Sequence, residues 1–329
     1  MGCSNSPEDN FPNYKRNIII ASNNDPLEKI DFSKPFKTIE HRTTNFLFLK
    51  DKKIIFGDRN GTIHVYENSN FESSFEINLF SCHVQCMIEL SDGNIVACSN
   101  DCTLKVFNIS DKKYEIINDY KYSDELWAMD ELGETCNFVV GSRNGSFFKC
   151  QKKNSNIIYG QTINIKETSV LNIFHLNESL IMITYMSNGA YFYDFNSSKT
   201  IGHVQHDYFN PFKCVIQKIS DRELLIGAEY SIVLIDYKKF EKIKEFDNDA
   251  SYSLLKLSNH YLLTSYGEGY LKIYKMLRDK NGQLELKSEK IINIIDGIIS
   301  GIQICPDGKL ITFNMKNCIK IWNAKNTSK

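Results

Sequence analysis

Four cysteines and one histidine between residues 82 and 102 have side chains that could hold a zinc ion. They form the pattern Cys82-His83-x-x-Cys86, followed by Cys98 and Cys102. Thiolate and imidazole ligands suit zinc, but structural zinc sites usually combine two such pairs, and no second pair occurs at the required spacing. Because these residues alternate along predicted strands, we expect thiols that pack as small apolar groups, with no metal and no other cofactor bound.

The chain lacks the short motifs that commonly carry enzymatic chemistry. It contains no Gly-x-Ser-x-Gly, no His-Glu-x-x-His, no Gly-x-x-x-x-Gly-Lys and no Gly-x-Gly-x-x-Gly. These patterns supply, in turn, an activated serine, a zinc site, a phosphate-binding loop and a dinucleotide-binding turn. Their absence from the sequence predicts that the protein is not an enzyme.

The first residues, MGCSNS, match the pattern of a lipid acceptor. Once the initiator methionine is removed, Gly2 followed by Ser6 fits N-myristoylation, and Cys3 is a candidate for palmitate. A single myristoyl chain binds membranes only marginally, so stable attachment needs a second signal, which Cys3 would supply. Pro7 is unfavourable for this modification. The pattern therefore predicts acylation at Gly2 and Cys3, with an unmodified terminus as the alternative.

Composition restricts the class of protein further. The 329 residues include 39 basic and 40 acidic side chains, which gives a net charge of -1 and argues against nucleic acid as a partner. No run of 18 apolar residues and no secretory signal is present, so we expect a cytoplasmic protein with reduced cysteines, at the cytosolic face of a membrane if it is acylated.

One hairpin pattern recurs seven times along the chain. Its clearest copies are KKIIFGDRNGTIHVY at residues 52–66 and NIVACSNDCTLKVF at residues 94–107. The copies end at Tyr66, Phe107, Cys150, Tyr193, Asp236, Tyr274 and Trp322. Successive ends are 41, 43, 43, 43, 38 and 48 residues apart. A regular period of this length indicates a repeat architecture.

Each copy contains four strand-like segments. An apolar segment such as VQCMIEL (residues 84–90) precedes the hairpin, and a fourth segment such as KKYEII follows most copies. Four short strands per repeat of about 43 residues is the period of a β-propeller, whereas helical arrays would show a period of about 3.6 residues. The sequence therefore predicts an all-β fold, a seven-bladed β-propeller with four antiparallel strands per blade.

The ends of the chain predict how the ring closes. Only seven residues follow Trp322, too few and too polar for a fourth strand in the last blade. The segment PFKTIEH, residues 35–41, precedes the first blade and would complete the last one. We therefore expect an N-terminal tether at residues 1–31, with the possible lipid anchor, and a single propeller domain at residues 32–329.

The repeat resembles the WD-repeat family of G-beta-like seven-bladed propellers. GDRNGTIHVY and SNDCTLKVF are similar to the turn-and-strand consensus of that family, and CIKIW (residues 318–322) supplies a terminal tryptophan. The likeness is divergent, since Trp322 is followed by Asn323 instead of Asp and Gly202-His203 is the one literal Gly-His pair. It implies a non-catalytic protein-interaction scaffold whose protein partners dock on the face that carries the connecting loops and the turns of the central hairpins.

The candidate partner-binding residues lie in the loops that map to this face. Arg59 and Arg143 occupy equivalent turns, and the stretch QHDYFNPF concentrates aromatic side chains around a proline; aromatic and arginine side chains are frequent binding hot spots. Trp127 begins an apolar strand, so we assign it to the core instead. The candidates are Arg59, Arg143, Tyr208, Phe209, Phe212 and Tyr266.

Two other functions stay open at the level of sequence. A propeller hydrolase would hold a metal at the mouth of the channel, and five residues fall in loops that could reach such a mouth: Asp124, Glu125, His206, Asp207 and Asp249. Solvated loop charges are the alternative reading of these residues. A substrate receptor of a ubiquitin ligase would carry an adaptor-binding Trp-Asp-x-Arg box, which IWNAK at residues 321–325 resembles only faintly.

Overall fold

The computed structural model describes residues 30–40, 43–67, 71, 75–154, 156–187, 189–206, 216–228, 230–247, 251–305, 307–314 and 318–323. All of the regular elements in these residues are β-strands. No helix with the length and hydropathy of a membrane span occurs in this described part of the chain.

The strands form six antiparallel sheets, five of which follow one another along the chain as sets 1 to 5. The first strand, β1 (Lys37–Glu40), precedes them. Set 1 comprises β2 (Thr43–Phe48), β3 (Ile54–Asp58), β4 (Thr62–Tyr66) and β5 (Phe75–Asn78). Set 2 comprises β6 (Val84–Glu89), β7 (Ile95–Ser99), β8 (Thr103–Ser110) and β9 (Lys113–Lys121). Set 3 comprises β10 (Leu126–Glu131), β11 (Phe138–Ser142), β12 (Ser146–Lys153) and β13 (Asn156–Tyr159), and β14 (Ile163–Asn164) also pairs with β12.

Sets 4 and 5 repeat the same order of four strands. Set 4 comprises β15 (Val170–His175), β16 (Leu180–Tyr185), β17 (Ala190–Asp194) and β18 (Lys199–Val204). Set 5 comprises β19 (Ile216–Lys218), β20 (Glu223–Gly227), β21 (Ser231–Asp236) and β22 (Glu241–Asp247).

The sixth sheet has seven strands because one long strand is shared. It contains β23 (Leu254–Lys256), β24 (Tyr261–Tyr266), β25 (Glu268–Arg278), β26 (Leu284–Ile304), β27 (Leu310–Asn314), β28 (Cys318–Trp322) and β1. Residues 284–293 of β26 pair with β25, and residues 299–304 pair with β27. We name the strands from β23 to the first half of β26 set 6, and the second half of β26 with β27, β28 and β1 set 7.

The outer strand of set 7 comes from the other end of the chain. Strand β1 pairs antiparallel with β28, with Lys37 opposite Ile321 and Glu40 opposite Cys318. The backbone before β1 follows the same strand, since the Asp31 N–H donates to the Asn323 carbonyl at 3.0 Å. Residues 35–40 of the segment PFKTIEH therefore lie beside the last hairpin, the position that the sequence predicts for them.

The middle strands are apolar on both faces because each set is covered on both sides. Every residue of β3, β7 and β11 is buried. Within one strand, alternate side chains pack against different neighbours, as for Phe46 and Leu47 in β2, which belong to two separate apolar clusters. Burial on both faces explains why these segments read as continuous apolar runs in the sequence.

Apolar clusters join the sets in a fixed order. Those between sets 1 and 2, 2 and 3, 3 and 4, 4 and 5, 5 and 6, and 6 and 7 each contain buried side chains from both members. A further cluster joins set 7 to set 1, where Ile39, Ile311 and Ile319 pack with Phe46 and Phe56. The last set of the chain therefore shares its core with the first.

Two glycines let adjacent sets approach closely. A Cβ atom added at Gly57 would lie 2.6 Å from the Val84 Cβ, and one added at Gly141 would lie 2.5 Å from the Val170 Cγ1. Each valine begins the first strand of the next set. Any side chain at these glycines would therefore push two sets apart.

Buried polar side chains also tie the sets together where their first strands end. The Glu89 carboxylate accepts the Lys50 N–H at 2.9 Å, and the Asp130 carboxylate accepts the His175 N–H at 2.8 Å. The Glu131 Oε1 accepts the N–H and the hydroxyl of Ser91, at 2.9 and 2.6 Å. Each of these contacts crosses from one set to the next, so they fix the relative height of the sheets.

Glu131 is a buried carboxyl group whose pKa departs from its ordinary value. It is 2% exposed, and its second oxygen, Oε2, has no hydrogen-bond partner. Burial raises the pKa of Glu131 above its ordinary value, although hydrogen bonds from Ser91 and from the Cys136 N–H act in the opposite direction. The folded chain therefore holds this proton more strongly than the unfolded chain does.

This difference predicts a pH dependence of stability. Below the unfolded pKa of Glu131, the protonated group favours folding, and that contribution is lost as the pH rises through the raised folded pKa. As the pH rises above the unfolded pKa, about 4.3, the free energy of unfolding should fall more steeply for the native protein than for Glu131→Gln, which has no proton to release. Urea unfolding at several pH values measures the two slopes.

The neighbouring variant Glu134→Gln is the control, because Glu134 is exposed in the same turn. It should leave the pH dependence of the native protein unchanged. Equal slopes for the native protein and Glu131→Gln would contradict the role assigned to the buried carboxyl group.

Candidate protein-interaction site

The antiparallel topology brings two kinds of connection to one end of the sheets. The turn between the second and third strands of each set lies at this end, and so does the connection that leads into the first strand of the next set. We call it the loop end. Binding residues collect on loops that a rigid framework holds in place, so this end is the candidate site.

The loop end of set 3 carries an oriented group of three side chains. The Arg143 Nη1 lies 2.6 Å from the Glu125 Oε1, and the Trp127 Nε1–H donates to the other oxygen, Oε2, at 3.1 Å. The side chain of Arg143 is 59% exposed. An ion pair this exposed adds little stability, but it holds a guanidinium group beside an indole ring in one orientation.

The turn that carries Arg143 is fixed by its own polar side chains. The Asn144 Oδ1 accepts the Ser146 N–H at 3.0 Å, and the Asn144 N–H donates to the Asp124 Oδ2 at 2.7 Å. Gly145 has a φ of +91°, and a Cβ atom there would lie 1.9 Å from the Lys166 carbonyl oxygen, so only glycine fits. The turn therefore presents Arg143 from a rigid base.

A β-bulge explains why Trp127 reaches the surface. Leu126 pairs with Ser142 and Ala128 pairs with Gly141, so Trp127 is an extra residue in β10 without a cross-strand partner. Bulges occur at the corresponding place in β2, β6, β15 and β26. Trp127 is partly exposed as a result, and its indole N–H points to a loop carboxylate.

Arg59 occupies the equivalent turn of set 1. The Asp58 Oδ1 accepts the N–H groups of Asn60 and Thr62, at 2.8 and 2.9 Å, so a carboxylate closes this turn where the Asn144 amide oxygen closes the turn of set 3. Arg59 is exposed and forms no ion pair with any described residue. Its guanidinium group is therefore available to an acidic group of a partner.

The loop end of sets 5 and 6 is aromatic. Tyr230, in the turn of set 5, is 70% exposed, the largest exposure of any large apolar side chain among the described residues. In set 6, the Lys272 Nζ lies 4.4 Å from the centre of the Tyr266 ring and 4.8 Å from that of Tyr274, within the range of cation–π contacts. A tyrosine side chain offers a broad contact area and loses little conformational entropy when a partner binds to it.

An acid–base pair lies nearby, between the outer strands of sets 4 and 5. The His206 Nε2 is 3.1 Å from the Glu245 Oε1. A hydrogen bond from the Ser231 hydroxyl lowers the pKa of Glu245 to about 2, with further contributions from Lys242 and His206 against the effect of burial. Glu245 is therefore ionised at neutral pH and holds the end of β18 against β22.

The family model of the Vps41 beta-propeller, described as "Vps42 beta-propeller", matches residues 35–329. The chain belongs to this family. No curated protein matches the chain at a significant level. The Vps41-type propeller is a non-enzymatic scaffold, and the match supports a propeller without singling out the WD-repeat group.

In this Vps41-type propeller, three of the predicted partner-binding residues lie at the loop end. Arg59 and Arg143 are in the turns between the second and third strands of sets 1 and 3, and Tyr266 is the last residue of β24, next to the corresponding turn of set 6. The structure thus places them on the same end of the sheets, as the loop mapping predicted. The other predictions fall outside the described residues: Tyr208, Phe209, Phe212, Gly2 and Cys3.

The residues of the metal hypothesis have other partners where they are described. Asp124 accepts the Asn144 N–H, Glu125 pairs with Arg143, and His206 pairs with Glu245. Among the described residues, no three His, Cys, Asp or Glu side chains converge as a metal site. Asp207 and Asp249 lie outside those residues.

The strands of set 2 do not bring the residues of the cysteine pattern together as a metal site in the described part of the chain. Cys86 and Cys98 are buried, directly opposite each other in β6 and β7, and both thiols point to backbone carbonyls of β10. Cys102 lies in the turn that follows, where burial raises the pKa of its thiol.

Sequence reasoning missed two residues of the site. The apolar run LWAMDEL predicts a core position for Trp127, whereas the bulge at this residue leaves its side chain partly exposed. Tyr230 lies in a weak copy of the repeat, in which the sequence GAEYSI does not match the turn sequence of the clearer copies. No Asn-Gly pair or other strong turn signal marks this turn in the sequence.

The two tryptophans of the chain predict a simple test of the site. Trp322 is 2% exposed and donates to the Thr312 hydroxyl, whereas Trp127 is partly exposed beside a cationic guanidinium group. Iodide should therefore quench the emission of Trp127 and not that of Trp322. Fluorescence titration of the Trp127→Phe variant should show no quenching, and quenching that persists in this variant would contradict the exposure of Trp127.

Proposed function

We propose that the protein is a non-catalytic scaffold of the trafficking type that the Vps41 family suggests, and that it binds other proteins through its loop end. The observation that carries the proposal is the oriented group of Glu125, Trp127 and Arg143 on a scaffold-type propeller. Tryptophan and arginine are the residues most enriched in binding hot spots. A glutamate that fixes both in place lowers the entropy lost on binding.

The proposal includes a ring of seven blades, one for each four-strand set, with β1 as the outer strand of the last blade. Its support is the order of the apolar clusters, which runs from set 1 to set 7 and then joins set 7 to set 1. The Phe46 and Phe313 rings, 6.3 Å apart at 25°, pack across that last junction. A closed ring leaves the loop end rigid enough to preorganise a binding surface.

Similarity to WD-repeat propellers adds the loop face as the place where partners dock. Arg59, Arg143 and Tyr266 support this mapping by their position, and the exposed Tyr230 extends it. Tyr208, Phe209 and Phe212 remain in the proposal on the grounds of sequence alone.

The test is affinity capture from the cells that express the protein, with variants at the two ends of the sheets. Trp127→Ala with Arg143→Ala should release the partners, because each hot-spot side chain is worth about 2 kcal/mol, or roughly 30-fold in affinity. Quantitative mass spectrometry of the captured proteins gives the result.

Arg222→Ala is the matched control. Arg222 lies in the turn between the first and second strands of set 5, at the opposite end of the sheets, where it pairs with Asp236 and is 55% exposed. This variant should retain every partner. Partners that stay bound to the Trp127→Ala and Arg143→Ala variant, or that are lost equally with the control, would overturn the assignment of the site.

The cytoplasmic location and the lipid anchor are further parts of the proposal. Gly2 and Cys3 would carry myristate and palmitate and would hold the scaffold at the cytosolic face of a membrane. Mass spectrometry of the N-terminal peptide from native cells tests this part, and an unmodified Gly2 would remove it.

A further inference from the structure

The outer strand of set 6 has an unusually long open edge. Residues 284–293 of β26 pair only with β25, and no described residue pairs with their other side. Ten residues extend over about 33 Å, more than any other outer strand in the described residues. Residues 287–291 are exposed in an unbroken run. The backbone N–H and C=O groups along this edge are therefore accessible to another strand.

One face of this hairpin carries three lysines. Lys287 lies directly opposite Lys275 of β25, and Lys290 lies opposite Ile273, two residues along from Lys275 on the same face. None of the three forms an ion pair with a described residue. The bulged Glu289 beside them is also unpaired, and Glu285 is engaged by Lys244 at 2.6 Å.

Like charges at directly opposed positions destabilise a sheet. Among the described residues, the other charged pairs at directly opposed positions that involve an outer strand are compensated. The opposed pairs are Lys105 with Asp119, which form an ion pair, Asp194 with Lys199, and Asp236 with Glu241, where Arg222 neutralises Asp236. The pair of Lys275 and Lys287 is therefore an exception among the outer strands that the structure describes.

Protection against self-association does not account for this pair. Lysine on an edge strand discourages pairing with a second copy, and Lys287 or Lys290 alone would serve that purpose. Lys275 is on β25, one strand in from the edge, where it adds repulsion without guarding the edge. A cationic face of this kind matches an acidic partner instead.

We propose that the edge of β26 binds an extended acidic peptide segment of a partner protein as an added strand. The open backbone groups would pair with the backbone of the peptide, and carboxylates at alternate positions would meet Lys275, Lys287 and Lys290. The opposite face offers the side chain of Ile291, 49% exposed, so apolar residues fit the positions between the carboxylates. This surface is separate from the loop end and does not depend on the function proposed for it.

The test uses a fluorescein-labelled peptide of alternating glutamate and valine, and fluorescence anisotropy with the full chain. The native protein should bind it with an affinity that falls as salt is added. Lys275→Gln with Lys287→Gln should weaken binding at least tenfold. The matched control, Lys112→Gln with Lys113→Gln at the exposed start of β9, should not change the affinity.

Two further peptides separate strand pairing from simple charge attraction. A peptide with the same composition in two blocks, glutamates then valines, should bind more weakly, and so should an alternating peptide whose backbone nitrogens on the pairing edge are methylated. Equal binding of all three peptides, or of the alternating peptide to the double lysine variant, would overturn the proposal. Preferential binding of a single-stranded oligonucleotide or of anionic vesicles at these lysines would overturn it as well.

The free protein provides an independent readout. If Lys275 and Lys287 repel each other, the Lys287→Gln variant should melt at a higher temperature than the native protein, and the difference should shrink at high salt. The same variant should bind the alternating peptide more weakly. A variant that loses both stability and binding would show a structural role for Lys287 and would contradict the proposal.

Discussion

The antiparallel pairing of β1 with β28 joins residues from the two ends of the chain, and the rest of the architecture depends on it. Without β1, set 7 would have three strands and an open edge next to the apolar cluster of Ile311, Ile319 and Phe46. The pairing covers that edge and keeps set 7 in contact with set 1. In the proposed ring, every other junction joins two sets that follow one another along the chain, whereas this one joins the last set to the first.

The binding surface follows from the same arrangement. Close contact between sets, which Gly57 and Gly141 permit, holds the turns of the loop end in a fixed relation. A bulge in the first strand of a set then leaves one extra residue without a cross-strand partner. In set 3 that residue is Trp127, and Glu125 orients it together with Arg143. The framework therefore supplies rigidity, while irregular positions supply the exposed side chains of the candidate site.

Much of this fold could be predicted from the sequence because apolar strand segments recur at a regular spacing. The hairpins that end at Tyr66, Asp236 and Trp322 end at those residues in the structure, and β1 lies within the segment proposed for it. The exposure of Trp127 could not be predicted, since no residue in this apolar run signals the bulge. The shared strand β26 was equally hidden, because its two halves read as the end of one repeat and the start of the next.

The measurement that tests the account most directly is the thermal unfolding of two shortened chains, one beginning at Ile30 and the other at His41. The second chain lacks β1 and the buried Ile39, so it should melt at a clearly lower temperature than the first. A synthetic peptide of residues 30–40 should raise the melting temperature of the shorter chain again. Identical melting of the two chains, with no effect of the peptide, would contradict the claim that β1 completes and stabilises the fold.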